Sequence, residues 1–201
     1  MIKTIVFDLG GVFFTDGKKV VSGVLSQRHG YAKEVAFSVL SSPKAMELRK
    51  GSITDEEFWR WAQPQLPQGY DAQIIRQEWY DGYIRDEDIF SLVKKLKDRY
   101  KLIVFSGNVK SRVEYLDKKY DFRKYFDIEL YSYEYQFDKS NPESSQVILQ
   151  QTRDRPEEIV YIDDSEISLS HAKQLGIHTI LYETGSIQEL KKELDNLGID
   201  I

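Results

Sequence analysis

Five short, continuous apolar runs constrain this chain more than any other feature. Thr4 to Phe7 stops at Asp8-Leu9-Gly10-Gly11, Leu102 to Phe105 at Ser106-Gly107-Asn108, and Ile159 to Ile162 at Asp163-Asp164. Ile128 to Tyr131 follows Tyr125-Phe126, and Ile177 to Tyr182 lies beyond Gly176. These runs are mainly apolar, broken only by Thr4, Glu129, His178 and Thr179, so they read as strands covered on both faces. Helical segments separate them. Asp86 to Arg99 places Ile89, Leu92, Val93 and Leu96 on one face, and Pro142 to Gln151 opens on a proline suited to a first helical turn. Ser165 to Leu175 ends before the helix-stop Gly176, and Ile187 to Leu197 follows. The pattern predicts an α/β fold, a Rossmann-like parallel sheet with helices on both faces.

Between the first and second runs the strand signal disappears. Helical segments with charged outer faces take over, among them Thr54-Asp55-Glu56-Glu57, whose spacing is that of a capping box leading into Phe58, Trp59 and Trp61. Residues 15–84 therefore read as a helical insertion, with 1–14 and 85–201 forming the sheet domain. The three tryptophans, Trp59, Trp61 and Trp79, read as the packing core of that insertion.

In an open parallel sheet, ligands bind beyond the carboxyl ends of the strands. That rule brings Asp8, Ser106-Gly107-Asn108 and Asp163-Asp164 to one rim, with Lys139 able to reach it from the connection before the fourth strand. Each group alone has a structural role available as a turn residue, a helix cap or a solvated charge. Together, three converging carboxylates call for a cation, and hard oxygen ligands suit Mg2+. Composition narrows the partners. The net charge of −5 carries both signs interspersed, which argues against a nucleic-acid partner. The absence of cysteine excludes disulfides and thiolate chemistry. No run approaches the ~20 apolar residues of a membrane span, so a soluble, cytoplasmic protein is expected.

These segments, in this order, resemble the four motifs of the haloacid dehalogenase superfamily over nearly the whole chain. Phe7-Asp8-Leu9-Gly10-Gly11-Val12 is similar to the first motif, Phe105-Ser106-Gly107 to the second and Lys139-Ser140-Asn141-Pro142-Glu143 to the third. Ile162-Asp163-Asp164-Ser165-Glu166, followed by Ala172, Leu175 and Gly176, is similar to the fourth. The helical insertion resembles the cap that this family places after its first strand. The branch it looks most like contains the amino-terminal phosphatase domain of epoxide hydrolases and small sugar-phosphate phosphatases.

The resemblance implies a covalent phosphatase acting on a small phosphorylated metabolite, as a monomer or dimer. Asp8 would be the nucleophile, with Lys139 beside it. Mg2+ would be held by Asp8, the carbonyl of Gly10, Asp163 and Asp164. Ser106, Gly107, Asn108 and Lys139 would hold the phosphoryl oxygens. One departure stands out, because most phosphatases of this family carry a second aspartate where this chain has Gly10. A positioned acid–base group typically contributes about 10²- to 10⁴-fold in rate, so the departure predicts slow turnover. Two other readings stay open: dehalogenation of a 2-haloacid, whose leaving halide needs no proton, and a non-catalytic binding or regulatory protein. Among the remaining residues, His29 is a remote candidate for the missing acid. Glu47 and Arg49 are candidates for substrate contact. Tyr131 to Tyr135 is a candidate entrance lining, although such runs usually pack.

Overall fold

A computed structural model describes residues 1–201. Its elements in chain order are β1 (Thr4–Phe7), α1 (Gly17–His29), α2 (Lys33–Leu40), α3 (Pro43–Arg49), α4 (Asp55–Ala62), α5 (Ala72–Asp81), α6 (Glu87–Leu96), β2 (Lys101–Ser106) and α7 (Lys110–Tyr120). They continue with β3 (Ile128–Tyr131), α8 (Ser132–Tyr135), α9 (Gln146–Thr152), β4 (Ile159–Asp163), α10 (Glu166–Gln174), β5 (His178–Leu181) and α11 (Ile187–Asn196). The strands form one parallel sheet in the order β3-β2-β1-β4-β5. β1 is central, so Asp8 leaves the sheet where the chain's crossovers diverge to either side, the usual place for a ligand.

Strand alternation divides the core into two layers. Ile5 and Phe7 of β1, with Val160 and Ile162 of β4, face the cluster that includes Ile89, Leu92, Val93 and Leu96 of α6 and Leu190 and Leu194 of α11. Val6, Ile103, Phe105 and Tyr161 face the opposite layer, with Ile148 of α9 and Leu169 and Ala172 of α10. Each fully buried aliphatic side chain contributes roughly 1.5–3 kcal/mol, so both faces of β1 are strongly held. This is the Rossmann-like arrangement expected. Some boundaries differ from the expectation, among them the end of α6, at Leu96 instead of Arg99. β5 is confined to His178–Leu181, and Pro142–Ser145 is a 3₁₀ turn that precedes α9 instead of its first turn. There, no side chain caps the Asn141 start, and Ser144 N–H donates to the Asn141 carbonyl in the tighter three-residue step.

Residues 17–81 contribute α1 to α5 and no strand to the sheet. The Thr54 capping box is present: Glu57 N–H donates to Thr54 Oγ1 at 3.2 Å and Thr54 N–H to Glu57 Oε2 at 2.7 Å. Trp59 and Trp79 are buried and meet edge to face, as packing residues do, while Trp61 is half-buried. The large apolar cluster runs without a break from the sheet through Phe13, Phe14 and Tyr83 into these helices. The two chain segments joining insertion and sheet are bonded to each other. Thr15 N–H donates to the Ile84 carbonyl at 2.9 Å, and Thr15 Oγ1 donates to the Gly82 carbonyl at 2.6 Å. No helix is long and apolar enough to cross a membrane.

Candidate active site

The carboxyl ends of β1, β2 and β4 surround a cavity of about 280 Å³. Asp8, Gly10, Ser106, Gly107, Asn108, Lys139, Asp163 and Asp164 all line it. Residues spread over more than 150 positions of sequence are thus brought to one rim by parallel strand register.

Asp8 is 7% exposed, and Lys139 Nζ donates to its Oδ1 at 2.8 Å. The same ammonium donates to Asp163 Oδ2 and, at 3.3 Å, to the Phe105 carbonyl. Tyr161 donates its hydroxyl to Asp163 as well. Ser165 N–H donates to Asp163 Oδ1 at 2.8 Å, which fixes that carboxylate at the start of α10. Asp164 has no ion-pair partner and stands at the solvent-facing mouth. Its approach to the first loop depends on Gly11, which has φ +88°; a Cβ there would lie 2.2 Å from Asp164 Oδ2.

The electrostatics follow from crowding like charges under cover. Burial raises the Asp8 carboxyl to about 7; Lys139 opposes the shift and Asp163 adds to it. Asp164 is raised to about 6 by partial burial and by Asp163. For Lys139, burial works to lower the pKa, but Asp163 and Asp8 outweigh it and the ammonium is held above its ordinary value. Carboxylate oxygens of Asp8, Asp163 and Asp164 lie within 4.8 Å of one another. A hard divalent cation fits this donor set, since the carboxylates repel one another and one of them has no cation of its own.

The other candidates fall out differently. Asn108 turns its side-chain carbonyl away from a purely ligand-binding role: Oδ1 accepts from Arg112 Nε at 2.7 Å and from Val109 N–H at 2.9 Å. His29 is not at the site. Its Nε2 lies 2.8 Å from Glu78 Oε1 at the far end of α1, so it offers no acid to replace the one absent at Gly10. Glu47 pairs with Lys44 at 2.7 Å and does not line the cavity, whereas Arg49 does. Tyr131 and Tyr133 stack on each other, and Tyr133 borders a separate groove between α3 and α7, so that run does not line this cavity.

Among the lining residues that were not singled out from the sequence are Asp16, Lys18, Tyr83 and Arg112. Arg112 is 2% exposed, with its guanidinium sandwiched between the rings of Trp79 at 3.8 Å and Tyr83 at 4.0 Å. Tyr83 occupies the space beside Gly10, where an added Cβ would lie 3.2 Å from its hydroxyl. Nothing local marks these residues. They come from the insertion and from α7, and only their packing aims them at β1.

Comparison with known proteins agrees with this geometry. The profile of the haloacid dehalogenase-like hydrolases matches residues 2–176. An uncharacterised protein of Dictyostelium discoideum is 36% identical over 225 aligned positions, covering 98% of this chain and 97% of that one. Among solved structures, a HAD family enzyme of Bacteroides thetaiotaomicron, in complex with magnesium and inorganic phosphate, superposes with a TM-score of 0.74 at 24% identity over 92% of this chain and 96% of that one. The L-2-haloacid dehalogenase of Xanthobacter autotrophicus, with chloropropionic acid covalently bound, gives 0.66 at 17% identity over 100% of this chain and 85% of that one. At these identities the structures speak for the fold, while the family match spans all four segments that meet at the cavity, and on that ground the chain belongs to the haloacid dehalogenase-like hydrolases.

Proposed function

We propose that this hydrolase is a magnesium-dependent phosphatase of small phosphate monoesters, working through an aspartyl-phosphate on Asp8. The observation that carries the reading is the buried Asp8–Lys139–Asp163 arrangement with the unpaired Asp164 beside it. Residues 15–84 would be the cap over a sheet domain of 1–14 and 85–201, since Lys18, Arg49 and Tyr83 of the insertion face the cavity. A volume of about 280 Å³ lies just below the ~300–1,000 Å³ typical of ligand pockets and favours a small metabolite.

Ionised Asp8 attacks phosphorus, forming the Asp8–phosphorus bond as the ester oxygen departs with its electron pair. Water then attacks the acyl phosphate and returns free Asp8 and inorganic phosphate. Ser106, Gly107 and the Lys139 ammonium would receive phosphoryl oxygens, and Lys139 also favours the ionised form of Asp8 against its burial. Magnesium, held by Asp8, Asp164 and Asp163 with the Gly10 carbonyl, would offset the phosphate charge. Gly10 cannot protonate the departing oxygen. Hydrolysis should therefore be slow, and faster for aryl phosphates, whose oxides leave without a proton.

A specific observation favours one second reading. The basic side chains of the insertion would hold a 2-haloacid's carboxylate, and a departing halide needs no acid at Gly10. Phosphate release from p-nitrophenyl phosphate and chloride release from 2-chloropropionate, each with magnesium and with chelator, separate the two. The expected result is phosphate release that requires magnesium and vanishes in Asp8→Asn. Phosphate release surviving Asp8→Asn overturns the covalent route, and chelator-resistant chloride release overturns the phosphatase.

A further inference from the structure

We infer that the substrate carries a second anionic group, a carboxylate or phosphate distal to the scissile phosphate, received by Lys18, Arg49 and Arg112. The inference rests on the phosphatase reading for the identity of the scissile group only.

All three side chains line the cavity beside Asp8, and Lys18 and Arg49 continue into an adjoining cavity of about 200 Å³ that also borders Gly107 and Lys139. None of the three has a carboxylate partner within 4.0 Å, although the protein makes ion pairs freely elsewhere, including at the neighbouring Lys19, Lys44 and Lys139. Their hydrogen bonds orient them without neutralising them. Arg49 Nη2 donates to the Leu40 carbonyl at 3.0 Å, while Ser132 Oγ donates to the Arg49 carbonyl at 2.7 Å. Arg112 Nε donates to Asn108, and its Nη1 is buried without any partner. Apart from the Asp8, Asp163 and Asp164 cluster at the strand ends, two carboxylates border these cations and both are engaged. Asp16 caps α1 and pairs with Lys19 at 3.3 Å, and Asp138 accepts from Ser140.

Uncompensated, partly buried positive charge is costly, and an orphaned guanidinium N–H more so. Crowding three such groups at one wall makes sense only if a ligand supplies negative charge there. The scissile phosphate already has Lys139, Ser106, Gly107 and a metal to receive it. Three further cations exceed the need of one phosphate and are placed on the insertion side, where the rest of the substrate must lie. A rigid Arg112, clamped between two rings and fixed at Nε, presents a preorganised fork for a carboxylate or phosphate.

The test uses three phosphonates that cannot be hydrolysed: propylphosphonate, 3-phosphonopropionate and propane-1,3-bisphosphonate. Each is titrated calorimetrically into the protein in excess magnesium. The two with a second anion should bind about tenfold or more tightly than propylphosphonate. The advantage should shrink severalfold in Lys18→Met and in Arg112→Met; if Arg112→Met fails to fold by circular dichroism, Lys18→Met and Arg49→Met carry the test. Comparing the carboxylate with the bisphosphonate tells which anion fits. Equal affinity for the three, no binding of any, or an advantage that survives the substitutions overturns the inference. Because binding is read without turnover, absence of phosphate release from aryl phosphates would count against the phosphatase reading and leave this measurement standing.

Discussion

Gly10 and Tyr83 show how one substitution in a motif is absorbed by a residue far from it. Leaving out a side chain at position 10 opens space beside Asp8, and Tyr83 fills it. The ring is held there by Gly17, where an added Cβ would lie 1.8 Å from Tyr83 Cε2, and by Arg112 on its face. Restoring an aspartate at position 10 is therefore not a local repair. Gly10→Asp should cost about 1–3 kcal/mol by overpacking against Tyr83. In a Tyr83→Ala background the same change should cost less, because the removed ring frees the space. A four-member urea-unfolding cycle reads the coupling. Additivity within ~0.5 kcal/mol would mean that the two residues do not compete for one volume. The double variant is also the one in which an acid at position 10 should raise alkyl phosphate hydrolysis relative to aryl.

Between insertion and sheet, the elements are fastened by specific polar contacts as well as by the shared apolar cluster. Thr15 joins both crossing segments: its hydroxyl donates to the Gly82 carbonyl and accepts from Ile84 N–H at 3.0 Å. Farther along, Asp55 at the head of α4 accepts from Ser111 of α7 at 2.9 Å and from Tyr80 of α5 at 2.7 Å. These contacts hold Lys18 and Arg49 over a sheet to which they do not belong. Thr15→Val keeps the shape and removes the hydroxyl, leaving the Ile84 N–H and the Gly82 carbonyl short of a partner. A loss of about 0.5–1.5 kcal/mol is expected, with faster amide exchange at Ile84 than at β1 amides. Unchanged exchange at Ile84 would show that the crossing is held by apolar packing alone.

For the molecule as a whole, the cavity works against stability when no cation is bound. Asp8 is raised to about 7 by burial, from an ordinary value of ~4. Between those values the folded chain keeps a proton that the unfolded chain releases, so stability falls as pH rises through the window, and the deficit is complete above about 7. Glu158 acts in the opposite sense. Hydrogen bonds from Arg155 and Lys3 hold it at about 2, so its contribution is present at neutral pH and lost only on strong acidification. In chelator the melting temperature should fall between about pH 5 and pH 8, and Asp8→Asn should remove most of that fall. Magnesium at ~100 times its Kd should restore about 2.7 kcal/mol at the higher pH. A wild-type melting temperature that is flat or rising over this range in chelator would overturn the account.

The sheet and its rim were legible in the sequence because both depend on short-range patterns. Apolar runs of four to six residues bounded by turn residues read as strands covered on two faces, and parallel strands place their terminal residues together whatever separates them in sequence. Asp8, Ser106, Gly107, Asp163 and Asp164 followed from that rule, Lys139 from its place in the connection before the fourth strand, and all meet at one cavity. Asn108 also reaches it, but its packing against Arg112 could not be read, since residues four apart on a helix start share a face only once the side chains are oriented. Lys18, Tyr83 and Arg112 carry no signal of their own: a charged residue on a helix reads as surface, and an aromatic residue in a connecting segment as core. Whether such a residue points at water or at Asp8 is decided by the angle at which the insertion packs on the sheet. That angle is set by Phe13, Phe14, Tyr83 and their neighbours acting together, and so belongs to the tertiary structure alone.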